Sequence, residues 1–131
     1  MPSTAELNDT WSKFYETGDV KYVAALFADS FTFAFNGNVS TNAQELHAGL
    51  AGLIALTPSQ PDRWNFWNHV EEGKHGRMTM TLITTFNSGK TSTCSGPIQY
   101  VLNDDGKIII WTAWMAAADF GAWMQQCQAS A

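Results

Sequence analysis

Apolar residues in the first half of the chain recur every three or four positions, the spacing that places them on one face of a helix. The first such stripe, which ends at Gly18, consists of Leu7, Trp11, Phe14 and Tyr15. A shorter stripe follows Asp19 and contains Val23, Leu26 and Phe27. A third stripe runs over residues 43–54 and includes Leu46, Leu50 and Leu53. The pattern predicts three helices in this half of the chain.

Strand patterns alternate with strong turn signals in the rest of the chain. Residues 31–35 alternate Phe with smaller residues and are followed by Asn36-Gly37, a turn signal, while residues 63–70 are rich in aromatics. Residues 78–114 hold three segments without charge, separated by charged turns at Gly89 and Gly106. These patterns predict one strand before the third helix and four consecutive strands after it.

The order of these elements predicts an α+β domain formed by residues 1–131. Residues 116–128 have helical spacing, so a fourth helix follows the last strand. The strands carry apolar and hydroxyl side chains on both faces, and such a sheet must be covered on both faces. We therefore expect a curved antiparallel sheet wrapped around three N-terminal helices, with an extra C-terminal helix.

The composition is that of a globular domain rich in aromatics. The chain has 131 residues, of which 45% are hydrophobic and 15% charged, and six are Trp. The aromatic surplus favours a ligand pocket or a partner surface, although an aromatic core would account for it equally well. A net charge of −5, with scattered Lys and Arg, argues against nucleic acid as a partner.

Three further features bear on the compartment and on cofactors. Cys94 and Cys127 are far apart and form no CxxC pair, which is typical of reduced thiols in a cytoplasmic protein, with a disulfide as the alternative. The sequence shows neither a secretory leader pattern nor an apolar run long enough to span a membrane. No cluster of His, Cys, Asp and Glu suggests a metal, so we expect a cofactor-free protein.

Two stretches resemble the NTF2-like superfamily, nearest to its ketosteroid isomerase-like and SnoaL-like members. They are GDVKYVAALFADSFTF at residues 18–33 and GPIQYVLNDDGKI at residues 96–108, and the resemblance extends over about residues 5–115. It implies a cone whose interior holds a small, mostly apolar or aromatic ligand. It also implies a homodimer formed through the outer face of the sheet.

The catalytic positions of those relatives carry other residue types in this chain. By the resemblance, Trp11 replaces the oxyanion-hole Tyr of ketosteroid isomerases, Phe35 their Asp base and Gln99 their second acid. Ala113 replaces the Asp that SnoaL-type cyclases carry on the last strand. Proton transfer needs a titratable group within hydrogen-bond reach, so the familiar isomerase route is not expected.

Alternation along the strands assigns a set of residues to the interior of the cone. His69 is the catalytic candidate, since an imidazole changes charge near neutral pH, but a half-buried structural His bonded to a neighbour is the competing interpretation. Trp11 and Gln99 could orient a ligand oxygen or satisfy the backbone. The predicted ligand-binding residues are Trp11, Tyr15, Phe31, Phe33, Phe35, Trp67, Leu82, Thr84, Phe86, Gln99 and Trp111.

The register of two strands decides these assignments. On the strand at residues 63–70, a slip by one residue would exchange the inward set of Asn65, Trp67 and His69 for Trp64, Phe66 and Asn68. The outward set on the long strands is too apolar to face water and predicts a homodimer through this face. It consists of Ile98, Tyr100, Leu102, Ile110, Thr112 and Trp114.

Two functions remain open at this point. The first is a small-molecule-binding protein acting as a cofactor-free isomerase, cyclase or dehydratase on a polyketide- or terpenoid-like apolar substrate. The second is a non-catalytic ligand-binding or dimerisation module with the same fold. Absence of the usual carboxylates weakens the first without removing it, because orientation alone accelerates reactions that develop little charge.

Overall fold

The computed structural model of the protein describes residues 4–17, 19–56, 63–85 and 89–129. The helices in this part of the chain are α1 (Thr4–Thr17), α2 (Lys21–Ala24), α3 (Ala43–Leu56) and α4 (Ala117–Ala129). The strands are β1 (Phe27–Phe35), β2 (Asn38–Ser40), β3 (Arg63–Glu72), β4 (His75–Thr85), β5 (Thr91–Leu102) and β6 (Ile108–Ala113). The predicted order of helices and strands is confirmed, and the short strand β2 is an addition to it.

The strands form one curved, open sheet in the order β2-β1-β6-β5-β4-β3. Neighbouring strands are antiparallel except for β1 and β6, which are parallel and pair Phe33 with Trp111. The sequence pattern carries no information on the direction in which two distant strands meet, and the predicted antiparallel arrangement is wrong for this pair. The predicted α+β fold with a curved sheet is confirmed.

The apolar stripes of the helices and one face of the sheet form a single core. We call this face of the sheet the inner face and the opposite one the outer face. From the helices, the core takes Leu7, Trp11, Phe14, Val23, Leu46, Leu50 and Trp123. From the sheet, it takes Phe27, Phe31, Phe33, Phe66, Met78, Met80, Leu82, Cys94, Ile98, Tyr100, Leu102, Ile108, Trp111 and Ala113. The helical stripes predicted from the sequence are therefore the buried ones.

One asparagine on α1 ties this helix to the edge strand of the sheet. The Asn8 side-chain amide donates to the carbonyl oxygen of Phe66 at 3.4 Å, and the Phe66 amide donates to Asn8 Oδ1 at 2.7 Å. The exposed edge of a strand offers unpaired backbone groups to other chains, and here a side chain satisfies them. The two bonds also fix where α1 crosses the inner face.

The predicted turn at Asn36-Gly37 joins β1 to β2. Both residues have positive φ, 46° and 85°, as the mirror-image turn of a tight hairpin requires. The Met115 amide donates to Asn36 Oδ1 at 2.7 Å, so the same residue holds the segment that leads from β6 into α4. A turn signal in the sequence thus also positions the terminal helix.

The second helix is shorter than predicted, and the following strand begins earlier. Phe27 was assigned to the helix, but it starts β1 and pairs with Ile108 of β6. The residue remains buried in either arrangement, so its hydrophobicity alone does not distinguish them. The parallel partner strand decides the assignment because it supplies the backbone hydrogen bonds.

The predicted inner face of β5 is wrong by one residue. Ile98, Tyr100 and Leu102 are buried on the inner face, whereas Pro97 and Gln99 are exposed on the outer face. Uncharged side chains occupy both alternating sets of this strand, so the sequence pattern does not identify its inner side. Of the predicted outward set, Ile110, Thr112 and Trp114 do lie outward.

Candidate functional site

A β-bulge in the edge strand β3 turns His69 towards the inner face. Trp67 pairs with Thr79 and Val70 with Arg77, so Asn68 and His69 together lie opposite a single residue of β4. Asn68 has a φ of 58°, the left-handed conformation that asparagine adopts more readily than most residues. Such an extra residue re-aims the side chains that follow it.

The bulge explains why the predicted register of β3 is partly wrong. Before the bulge, Phe66 is buried and the predicted inward residues Asn65 and Trp67 are exposed, which is the slipped register. At the bulge the alternation breaks, and His69 reaches the inner face as predicted. Strict alternation cannot yield both results.

His69 meets two other polar side chains at the buried hydroxyl of Tyr100. The Tyr100 hydroxyl donates to Glu71 Oε2 at 2.8 Å and lies 2.6 Å from His69 Nε2. Since the phenol has one proton, His69 Nε2 must donate when that proton points to Glu71. Tyr100 is 1% exposed, His69 is half-buried and Glu71 is exposed, so the three span the depth from core to solvent.

The Tyr100 ring is fixed between a glycine and an indole. Gly76 is paired directly with Tyr100 across β4 and β5, and a Cβ at Gly76 would overlap the phenol ring. On the neighbouring strand, Trp111 stacks on the ring with centroids 6.2 Å apart. The hydroxyl is therefore held in one place.

Burial raises the pKa of Tyr100 strongly, and the hydrogen bond and negative charge of Glu71 raise it further. Each of these causes disfavours the phenolate. At neutral pH the hydroxyl consequently stays protonated, so it can donate a hydrogen bond to an oxygen but cannot act as a base.

Aromatic rings surround Trp111 on the inner face. Its ring centroid lies 6.1–6.3 Å from those of five other rings, which belong to Trp11, Phe27, Phe33, Phe66 and Tyr100. Trp111 and the Tyr100 ring stacked on it thus form an apolar wall beside the hydroxyl cluster. This combination of an apolar wall and a few convergent polar groups is typical of small-molecule sites.

The structure brings together about half of the predicted site residues. Five of them are buried in the core with Tyr100, namely Trp11, Phe31, Phe33, Leu82 and Trp111. Phe35 is half-buried, and its ring centroid lies 5.5 Å from that of Phe120 in α4. The side chains of Tyr15 and Thr84, and Phe86 as a whole, lie outside the described residues.

Two predicted ligand-binding residues are on the wrong face. Gln99 is exposed on the outer face because β5 has the opposite phase to the predicted one. Trp67 is 47% exposed there, and its Nε1 donates to Thr81 Oγ1 at 2.9 Å. The predicted pairing of Trp11 with Gln99 around one ligand oxygen is therefore wrong.

Two members of the polar cluster were missed by the sequence reasoning. The strand pattern predicts Tyr100 on the outer face, and it does not single out Glu71. The available signal was Gly76, because a glycine inside a strand often marks the close approach of another group. The pairing partner of Gly76 is known only once the strands are in register.

The outer face carries exposed aromatics in one row across four strands. Trp67, Thr79, Pro97 and Trp114 are successive neighbours in this row. Trp67 and Trp114 are 47% and 55% exposed. The two indoles lie at opposite ends of the row, with Thr79 and Pro97 between them.

Within the described residues, three or more His, Cys, Asp or Glu side chains nowhere come together as metal ligands would. Over the same residues, each helix is too short or too polar to traverse a bilayer. Cys94, one of the two cysteines, is buried at the inner face.

Comparisons with known proteins give matches among solved structures. No protein-family model matches the chain, and no curated protein sequence does. An NTF2-like protein of unknown function from Exiguobacterium sp. 255-15 superimposes with a TM-score of 0.69 at 19% identity, covering 86% of this chain and 97% of its own. TerC, co-crystallised with polyporic acid, has a TM-score of 0.75 at 13% identity, covering 92% of this chain and 96% of its own.

A third similar structure has a provisional functional assignment. It is a protein from Jannaschia sp. CCS1, provisionally assigned as a SnoaL-like polyketide cyclase, with a TM-score of 0.68 at 17% identity. The alignment covers 98% of this chain and 96% of that protein. At these identities the likeness concerns the fold, in agreement with the curved sheet and its covering helices. The chain has the NTF2-like fold that its sequence resemblance predicted.

Proposed function

We propose that this chain binds a small apolar or aromatic molecule at the inner face of its sheet and catalyses a cofactor-free isomerisation, cyclisation or dehydration. The observation that carries the proposal is the Tyr100 hydroxyl, held between His69 and Glu71 in an aromatic wall. Substrates of polyketide or terpenoid type combine an apolar body with a few oxygens, which fits such a wall.

The cluster supplies the two groups that an enolisation or a dehydration needs. A protonated Tyr100 donates a hydrogen bond to a ligand oxygen, where negative charge develops in the transition state. In that state His69 Nε2, 2.6 Å away, donates to the Tyr100 oxygen, and the other ring nitrogen of the neutral imidazole takes a proton from the ligand and returns it. Because Glu71 is exposed, its carboxylate can rotate towards water, and the Tyr100 hydroxyl is then able to donate its hydrogen bond to the ligand instead. These roles replace the catalytic carboxylates of the isomerases that the sequence resembles.

The similar structures support a small-molecule role without fixing the reaction. TerC was co-crystallised with polyporic acid, and the Jannaschia protein is provisionally assigned as a polyketide cyclase. A fold hosts many activities, so the polar cluster carries the argument.

A second candidate, a non-catalytic binding module, is favoured by the density of the aromatic packing. Trp111 contacts five rings, and the described side chains of the inner face are almost completely buried. A cluster packed in this way can serve chiefly to stabilise the sheet.

Native mass spectrometry of freshly purified protein tests the proposal first, because a bound molecule would appear as a defined mass increment. The molecule so identified is then offered to the wild type, to Tyr100→Phe and to Tyr22→Phe as a matched control. Catalysis predicts that Tyr100→Phe still binds but turns over at least about tenfold more slowly, since one donor is lost. Equal turnover in all three proteins would show that Tyr100 takes no part in the reaction, whereas binding without conversion would establish the second candidate instead.

We further propose that the chain forms a homodimer through the outer face. The row from Trp67 to Trp114 supports this proposal, because a second copy would cover both exposed indoles. A C2 dimer buries the same patch on both copies, so each row would face its own symmetry mate.

A further inference from the structure

We propose a second binding site on the outer face, for a small monocarboxylate with an apolar or aromatic body, anchored by Arg77. Gly76 and Tyr100 also border the site, but the side chains that would bind the ligand lie on the face opposite to the Tyr100 hydroxyl. It is the depression bordered by the ends of β3 to β6, with a volume of about 500 Å³. This volume falls within the usual range for small-molecule pockets, roughly 300–1,000 Å³.

The depression is formed by two adjacent rows of outward-facing residues across the same four strands. The first row is Val70, Arg77, Gln99 and Thr112. The second row is Glu72, His75, Val101 and Ile110. The first row lies directly next to the row from Trp67 to Trp114. The strands hold all eight side chains at fixed spacing, as a preformed site requires.

Arg77 is the cation of this depression and is available to a ligand. It forms no ion pair or side-chain hydrogen bond with the described residues. By contrast, Lys13 pairs with Asp9 at 2.8 Å and Lys21 with Asp19 at 3.4 Å. A guanidinium presents two parallel N–H groups, which match the two oxygens of a carboxylate.

Neighbouring groups of the first row complete an anion site. Gln99 is the direct cross-strand neighbour of Arg77, and Thr112 follows on β6. The Gln99 amide and the Thr112 hydroxyl can both donate to a carboxylate oxygen. Gln99, predicted to bind a ligand oxygen inside the cone, would thus do so on the opposite face.

The other side chains that line the depression determine what the uncharged part of the ligand can be. Val70 and Ile110 are exposed aliphatic residues on either side of the depression, and Val101 lies between them in the sheet. They offer an apolar surface for a ring or chain. Glu72 contributes a negative charge to the second row, which disfavours a second carboxylate on the same ligand. The site therefore selects monoanions.

Three naphthalene probes test the charge requirement: 2-naphthoate, the neutral 2-naphthamide and 2,6-naphthalenedicarboxylate. Titration calorimetry should show 2-naphthoate binding at least about tenfold more tightly than the amide, because only the anion pairs with Arg77. Arg77→Gln should abolish this preference, and Lys13→Gln, an exposed cation of α1, should keep it. Glu72→Gln should improve binding of the dicarboxylate more than that of 2-naphthoate.

Changes in backbone amide chemical shifts, measured by NMR, show where the probe binds. With 2-naphthoate, the shifts should concentrate at Arg77, Gln99 and Thr112, and His69→Gln should leave the affinity unchanged. Shifts centred on Trp111, equal affinity for acid and amide, unchanged affinity in Arg77→Gln, or no binding at millimolar probe would each overturn the proposal. A failed inner-face site affects none of these readouts, so the two proposals are judged separately.

Discussion

At the residue scale, Tyr100 is the position where packing and chemistry meet. Its ring occupies the space that Gly76 leaves open and stacks on Trp111, and its hydroxyl joins His69 and Glu71. Packing fixes the orientation of the Tyr100 ring, and the ring orientation determines where the hydroxyl lies. A residue in this position affects both the stability of the fold and the proposed reaction.

The raised pKa of Tyr100 makes stability depend on pH in the alkaline range. In the unfolded chain the phenol loses its proton at about pH 10, whereas burial and Glu71 keep it protonated in the folded protein above that pH. The folded state then binds one more proton than the unfolded state, so the free energy of unfolding falls as pH rises beyond about 10. Below that pH this contribution is constant.

We predict that Tyr100→Phe removes this part of the alkaline loss of stability, as measured by urea unfolding between about pH 8 and 11. At neutral pH the variant should be less stable than the wild type by no more than about 3 kcal/mol, since a hydrogen bond to a charged carboxylate contributes roughly 1.5–3 kcal/mol. Tyr22→Phe is the control and should keep the wild-type slope. Identical slopes for all three proteins would show that Tyr100 titrates normally.

At the element scale, the β3 bulge decides which side chains of the edge strand reach the core. It leaves Phe66 inside and Trp67 outside, and then returns His69 and Glu71 to the inner face. Without the extra residue, strict alternation would separate His69 from Phe66. The bulge is therefore part of the candidate site.

We predict that Asn68→Val destabilises the protein by about 1–2 kcal/mol, because a β-branched residue is strained at a φ of 58°. Asn68→Gly is the matched variant and should be close to neutral, since glycine adopts this conformation freely. Chemical denaturation gives both values. In Asn68→Val, altered ring signals of His69 would confirm that the bulge orients it, and an equal cost for both variants would contradict the strain argument.

At the scale of the whole molecule, the two faces of the sheet differ in how far they are covered. Helices cover the inner face, while Trp67 and Trp114 are exposed on the outer face. The proposed homodimer would bury this row, and the Arg77 depression lies directly beside the row.

We predict a dimer of the 14.4 kDa chain in sedimentation experiments at micromolar concentration, and a monomer for Trp114→Lys, because a buried unpaired charge is costly in an interface. Ser12→Lys adds the same charge to the exposed side of α1 and should remain dimeric. A wild-type monomer at this concentration would refute the dimer.

The sequence by itself determined the elements and their order, because periodicity, turn residues and the charge-free strands are local properties. The stripe of Leu7, Trp11 and Phe14 and the Asn36-Gly37 turn are where the pattern placed them. The resemblance then predicted the NTF2-like fold, which the similar structures confirm. By the same resemblance, the positions of the usual catalytic carboxylates carry other residue types in this chain.

Only the tertiary structure decided which residues face each other. β5 carries uncharged side chains on both sides, so its sequence does not show which side faces the core. The pairing of Tyr100 with Gly76 and Trp111 decides this, and it puts Tyr100 instead of Gln99 at the inner face. The direction of β6 relative to β1 and the extra residue at Asn68 likewise depend on contacts between distant segments. The hydrophobic pattern indicates whether a residue is buried. A functional site depends on which residues are neighbours in space, and the register of the strands sets those neighbours.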